Sequence, residues 1–289
     1  MSLLVRAVGR LPTPWIKAVS RLQWRHPLLK KAFDLVSDRM RHRDGRIQRG
    51  VAKGLAFNAG NSTAGMMLGT LEPELQEAFS LFTHPGMTVY DIGANVGFFS
   101  ILAARLVGHS GKILAFDPLP TNTQMVEYNA KLNGFEQVEV HRAALGNEDG
   151  EAAFVISSDP NWGKLKGIGV PASVSGEERV VIHRIDSLVA GGLPAPELIK
   201  IDVEGAEVAV LEGGSSTLRT ARPILFIDLH GTNQGISRIL RESGYDARII
   251  GQGSRRIEDG NWDVQVVAIP EEAAALRERL EKMAALPLL

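Results

Sequence analysis

The chain has 289 residues, 44% apolar and 22% charged, which excludes a disordered or fibrous protein and allows one large domain plus an extension. It contains no Cys, which excludes disulfides, thiolate nucleophiles and Cys-based zinc sites, and fits a reducing, cytoplasmic compartment. The net charge is −1, yet residues 1–53 carry 13 Lys and Arg against three Asp, so a +10 leader precedes a −11 body.

Residues 1–53 read as a basic helical extension, two short helices broken at Pro12/Pro14 and Pro27. Leu3, Leu4, Ala7, Val8 and Leu11 recur at helical spacing, as do Trp15, Ala18, Val19 and Leu22. The plain reading is an extension with a solvated basic face; the sharper one is an amphipathic contact with an anionic membrane surface, peripheral rather than spanning. No apolar run reaches the roughly 18 residues of a membrane span, and bases spaced through the N-terminus argue against a cleaved signal peptide. Residues 54–86 read as a Gly-rich loop and a leading helix: Gly54–Leu71 is uncharged, with four glycines and two asparagines. Glu72 precedes Pro73 at a helix start, as an N-terminal acid or a partner for a bound ammonium.

Residues 87–270 read as one domain of alternating strands and helices. Strands are expected at Thr88–Ile92, Lys112–Phe116, Val138–Arg142, Leu198–Asp202, Ile224–Leu229, Ala247–Ile250 and Val264–Ile269. Helices are expected at Val96–Val107, Thr121–Leu132, around Ala206–Leu211 and at Ile236–Glu242. This alternation means an α/β fold with a parallel sheet covered on both faces. The last two strands have no long helix between them and read as an antiparallel pair at one edge. Glu151–Ser157 and Arg179–Arg184 can pair across a long loop, Ser158–Glu178, whose Asn161 and Trp162 suit substrate contact. Residues 271–289 read as a C-terminal helix with a Leu276, Leu280, Met283, Leu286 stripe, docked on the core or forming a homodimer contact.

The segment Asp91-Ile92-Gly93-Ala94-Asn95-Val96-Gly97 runs from strand into helix, where glycines admit a ligand and the helix start offers N–H groups. A dinucleotide wants a second glycine where Asn95 stands, and its pyrophosphate would be repelled by Asp91. S-adenosylmethionine carries a sulfonium and an ammonium that Asp91 can attract, and a carboxylate for the helix start. Asp117, in Phe116-Asp117-Pro118 after the next strand, suits the two hydroxyls of a ribose.

These motifs, with Lys200-Ile-Asp-Val-Glu-Gly-Ala-Glu207, Gly69-Thr-Leu-Glu-Pro-Glu74 and Ala143-Ala-Leu-Gly146, resemble the FkbM-type S-adenosylmethionine-dependent methyltransferases over residues 50–270. The family commonly has Glu where this chain has Asp117 and Asp228. The resemblance implies the class I methyltransferase sheet of seven strands, order 3-2-1-4-5-7-6. It implies O-methylation of a sugar, glycolipid or polyketide-type hydroxyl. It also implies that the glycine loop and Asp91 hold the methionine end, Asp117 and Pro118 the ribose, and Arg142 and Ala143 the adenine border.

Ligands bind outside the carboxyl ends of such strands. Asp202 and Glu204 follow the fourth strand, and Asp228 and His230 end the fifth; neighbouring strands are about 4.8 Å apart, so these groups can share a pocket. His230 is the expected base for an acceptor hydroxyl, with Asp202 as rival base and cofactor contact and Glu204 beside them. Mg²⁺ held by Asp202, Glu204 and Asp228 is the alternative. Glu207 reads as a helix N-terminal acid. Nucleic acid is not an expected partner, although the basic leader keeps an RNA or protein acceptor as an alternative. An NAD-dependent oxidoreductase and a non-catalytic binding module are the readings from other classes.

Overall fold

The computed structural model describes residues 42–157, 163–165, 174–253 and 255–286. The helices expected within residues 1–41, and Asn161 and Trp162, lie outside the described residues. The chain divides into two compact units, residues 1–73 and 74–288.

In the N-terminal unit, β1 (Gly45–Arg46) and β2 (Ala56–Phe57) form an antiparallel pair, followed by the helix α1 (Ala64–Leu68). The loop expected over Gly54–Leu71 therefore contains a strand and a helix, and part of the basic segment is strand. The local chemistry explains the helix. Thr63 Oγ1 accepts the Gly65 N–H at 3.2 Å as an N-cap, and Gly69 ends the helix at φ 71°. A side chain at Gly69 would meet the Arg49 carbonyl oxygen at 2.0 Å. Ile47, Ala52, Leu55 and Phe57 are buried there.

The second unit opens at Glu74, within α2 (Pro73–Phe82), whose Leu75, Ala78, Phe79 and Phe82 are buried. The alternating series follows: β3 (Thr88–Ile92), α3 (Phe98–Val107), β4 (Lys112–Phe116), α4 (Pro120–Leu132) and β5 (Val138–His141). An insertion carries β6 (Ala144–Leu145), β7 (Gly150–Ser157), β8 (Gly163–Leu165) and β9 (Val174–His183), then α5 (Ile185–Ala190). The series resumes with β10 (Leu198–Ile201), α6 (Glu207–Gly213), α7 (Ser215–Thr220), β11 (Ile224–His230), α8 (Asn233–Glu242), β12 (Tyr245–Ile249), β13 (Asp263–Pro270) and α9 (Arg277–Ala284).

The main sheet runs β5-β4-β3-β10-β11-β13-β12, which in chain order is 3-2-1-4-5-7-6, the class I methyltransferase arrangement. All neighbours are parallel except β13, which is antiparallel to both β11 and β12. Central strands read as near-continuous apolar runs because helices cover both faces: Val89, Tyr90 and Ile92 of β3 and Leu198, Ile199 and Ile201 of β10 are all buried.

The second sheet runs β6-β9-β7-β8. β7 and β9 pair as expected, in antiparallel fashion, while β9 starts at Val174 and β8 sits inside the expected loop, so strand occupies part of Ser158–Glu178. Alternation marks the C-terminal part of β9: Val180 and Ile182 are buried and Val181 is exposed, the period-2 pattern of a half-buried strand. The C-terminal helix starts at Arg277 rather than Glu271 and buries Leu280 and Met283. Its end is tied to the unit by Gly251 N–H to Met283 O (3.0 Å) and Gly253 N–H to Ala284 O (2.8 Å), which is the docked reading. No helix among the described residues is long and apolar enough to cross a membrane.

Candidate active site

The carboxyl ends of β3, β4, β10 and β11 meet at one edge of the sheet. The glycine loop after β3 is held there by contacts from three other elements. Gly93 has φ 76°, and a Cβ on it would lie 1.8 Å from the Asp202 carbonyl oxygen, so only glycine lets β3 and β10 close on each other here. The N–H groups of Gly93 and Ala94 both reach the Phe116 carbonyl at 3.0 Å. Asn95, at φ 51°, donates its N–H to Asp117 Oδ2 at 2.9 Å and turns its own Oδ1 back on the Val96 N–H at 2.7 Å. Buried Asn129 of α4 donates to the Val96 carbonyl at 2.8 Å. The N–H groups of residues 93–97 are thus engaged within the protein, because an internally bonded loop holds its shape; they differ from the expected anion cradle.

Asp91 also differs from expectation. It is 1% exposed, accepts from Ser100 Oγ at 2.5 Å and lies 3.5 Å from Lys200 Nζ. Lys200 is its register partner on β10, itself 3% exposed, and its ammonium also donates to the Gly93 carbonyl at 3.0 Å and to Asp202 Oδ2 at 3.3 Å. A carboxylate at that depth is too costly to leave unpaired. The lysine partners it, so Asp91 serves as a loop anchor beneath the cleft rather than a wall of it. Lys200 opens the Lys200–Glu207 motif, and a lone cation in an otherwise apolar strand is the signal of a buried pairing whose partner only the register supplies.

The cleft is walled by Ile92, Phe116, Leu119, Ala143, Phe154 and Val203, with Gly93, Asn95 and Pro118 in its lining and the carboxylates of Asp117, Asp202 and Glu204. Apolar walls for a flat base, with carboxylates for hydroxyls and cations, fit S-adenosylmethionine. Asp117 is 6% exposed and accepts from the Asn95 N–H, the Leu119 N–H (2.9 Å) and Asn122 Nδ2 (3.0 Å). Burial pushes its carboxyl up to about 7 against the opposing pull of those hydrogen bonds. Of the expected adenine pair, Ala143 lines the cleft, whereas Arg142 is exposed and reaches toward Glu178 at 3.9 Å. Ala94 is buried within the loop. Glu72 belongs to the N-terminal unit, at φ 40° just before Pro73.

At the ends of β10 and β11, His230 sits between two glutamates. Its Nδ1 is 3.0 Å from Glu207 Oε1 and its Nε2 is 3.6 Å from Glu204 Oε2. Glu207 is fully buried and also accepts from the Gly205 N–H (2.8 Å) and Thr232 Oγ1 (2.8 Å). It opens α6 as expected of a helix N-terminal acid, and it also orients the histidine. That second role depends on β11 lying beside β10 and was not visible in the local sequence. Burial pulls the His230 imidazole down, but the Glu207 bond and the charges of Glu204, Asp202 and Asp228 outweigh it and raise it to about 9. Asp228 is pushed up to about 7 by burial and by Asp202 beside it, although His230 opposes the rise. Asp202, Asp228 and His230 each offer a ligand atom within 4.8 Å of the others, a trio with His230 where the expected magnesium set had Glu204.

The Methyltransferase FkbM domain matches residues 91–248. Among characterised proteins, the AMB antimetabolite synthetase AmbE of Pseudomonas aeruginosa is 25% identical over 284 residues, covering 79% of this chain and 13% of that protein. Methyltransferase 1 of Beauveria bassiana is 27% identical over 143 residues, 43% of this chain and 57% of that one, so the chain spans only part of the relatives it matches. A crystal structure of a methyltransferase FkbM from Methylobacillus flagellatus aligns over 71% of this chain and 52% of its own at 18% identity, with a TM-score of 0.44.

Proposed function

This chain belongs to the FkbM methyltransferase family, and on that footing we propose that it transfers a methyl group from S-adenosylmethionine to a hydroxyl of a sugar, glycolipid or polyketide-type natural product. The observation that carries the reading is the continuity of the site. Asp202 and Glu204 line the cleft and also belong to the cluster around His230 and Asp228, so a cofactor and an acceptor can meet across them. The likeness to an antimetabolite synthetase supports a small-molecule acceptor.

When bound, S-adenosylmethionine supplies a methyl whose bond to sulfur breaks, with its electron pair, as the bond to oxygen forms. In this reading Asp117 takes the ribose hydroxyls, and Asp202 and Glu204 the cationic end. The acceptor proton must leave as the carbon–oxygen bond forms. His230, the expected base, holds its own proton near neutral pH, because its imidazole is raised to about 9. The Asp202–Asp228 pair is better matched to take that proton, with Asp228 near 7. His230 then acts as a fixed cation beside the pair, held by Glu207.

The trio offers Mg²⁺ one imidazole and only two of the carboxylates it prefers, so in this reading the reaction runs without a divalent ion. Activity is expected to survive EDTA treatment that strips bound metal. Calorimetry should detect S-adenosylhomocysteine binding by the wild type, weakened about tenfold in Asp117→Ala as charge-assisted hydrogen bonds to the ribose are lost. An enzyme that binds neither cofactor nor product would sink the reading. A salt-dependent gel shift of RNA would move the acceptor to nucleic acid.

A further inference from the structure

Trp262 stands exposed at the acid corner of the site, and the structure holds it there. It is 55% exposed, the most exposed of the large hydrophobic side chains among the described residues, at the end of β13 that lies beside the carboxyl end of β11. The Gly231 N–H donates to the Trp262 carbonyl at 2.8 Å. Gly231 has φ 78°, and a Cβ on it would meet the indole Nε1 at 2.5 Å, so the absent side chain makes the seat for the ring. The indole meets the His230 ring edge-on, centroids 5.6 Å apart at 71°. His230 in turn faces Glu204, which lines the cofactor cleft.

We propose that Trp262 is the acceptor platform of this enzyme, and that the acceptor presents an uncharged polyhydroxylated ring, a glycosyl unit, rather than an anionic group. The inference rests on the methyltransferase reading and deepens it. Four carboxylates belong to the cleft, the His230 cluster and the strand end next to the tryptophan. Asp202 and Glu204 stand at the cleft, Asp228 lies beside Asp202, and Asp263 follows the tryptophan and faces His230 in the strand register. Carboxylates accept hydrogen bonds from hydroxyls, and an aromatic face suits the C–H face of a sugar ring. Asp202 is partnered by the buried Lys200 ammonium, yet Glu204, Asp228 and Asp263 stand beyond that pair and together disfavour a phosphate or carboxylate. His230 does not reverse the balance, because Glu207 and Glu204 flank its two nitrogens.

Saturation-transfer NMR tests this on the full-length chain with S-adenosylhomocysteine present. The probes are methyl α-glucopyranoside, methyl α-rhamnopyranoside and, as the anion, uridine 5′-monophosphate. Transfer to the ring C–H protons of a glycoside is expected in the wild type. It should fall about fivefold in Trp262→Ala, the size of a lost aromatic contact, and survive largely in Trp262→Phe. Gly231→Ala should lower it as well, by unseating the ring. S-adenosylhomocysteine affinity should not change in the Trp262 variants, which also shows that they fold. Glycoside transfer absent from the wild type, unchanged in Trp262→Ala, or matched by an equally Trp262-dependent signal from the nucleotide would overturn the proposal. Failure of the wild type to bind S-adenosylhomocysteine would instead sink the methyltransferase reading, while a Trp262-dependent glycoside signal would still stand.

Discussion

At the scale of single residues, the site is governed by what each charge is paired with. His230 is a protonated ring locked by Glu207, and its raised value sets the direction of its contribution to stability. A folded imidazole near 9 against 6.5 in the unfolded chain stabilises fully below pH 6.5, and that contribution is lost as pH rises through 9. Glu207→Gln should therefore cost about 2 kcal/mol at pH 6, the range of a hydrogen bond to a charged group, and clearly less at pH 9.5. Urea denaturation at the two pH values measures it. An equal cost at both would mean that the imidazole is neutral throughout. Asp117 and Asp228 slope the same way at lower pH. Each keeps a proton in the folded state that the unfolded chain releases, so their contribution falls as pH climbs from about 4 to 7.

At the scale of elements, the glycine loop owes its shape to its neighbours. β10 supplies Lys200 and the Asp202 carbonyl, β4 supplies the Phe116 carbonyl, and α4 supplies Asn129. The pairing of β3 with β10 brings Asp91 opposite Lys200, and neither charge reaches water. Lys200→Met should then destabilise the protein by about 3–5 kcal/mol, since it strands a buried carboxylate. The Asp91→Asn, Lys200→Met double variant should recover part of that loss, because no uncompensated charge remains. Chemical denaturation of the three proteins checks it; a double variant no more stable than Lys200→Met would show that the pair is held by packing rather than by charge.

At the scale of the whole molecule, the motifs and the charge asymmetry separate. The cleft and its acids lie in the unit of residues 74–288, while residues 1–41 carry nine Lys and Arg against two Asp. Removing residues 1–41 should leave S-adenosylhomocysteine affinity within about twofold, because the residues that line the cleft all belong to the second unit. Calorimetry on the folded truncated chain tests this. Abolished binding would make the leader part of the active site.

Read alone, the sequence determined the kind of fold and the place of the chemistry. Strands and helices are local periodicities, so the alternation from Thr88 onward was legible, and so were the glycine turn, Asp117 after the second strand and the acids after the fourth. The family resemblance turned that alternation into the strand order that is found. Element edges moved by a few residues, and the helix Ala64–Leu68 was hidden by flanking glycines that act as caps and turns. Only the tertiary structure decided the pairings: Asp91 with Lys200 from 109 positions away, His230 with Glu207, Trp262 seated on Gly231. The reason is physical. A charge or a ring takes its role from whatever lies across the strand register, and that register forms only when the whole sheet does.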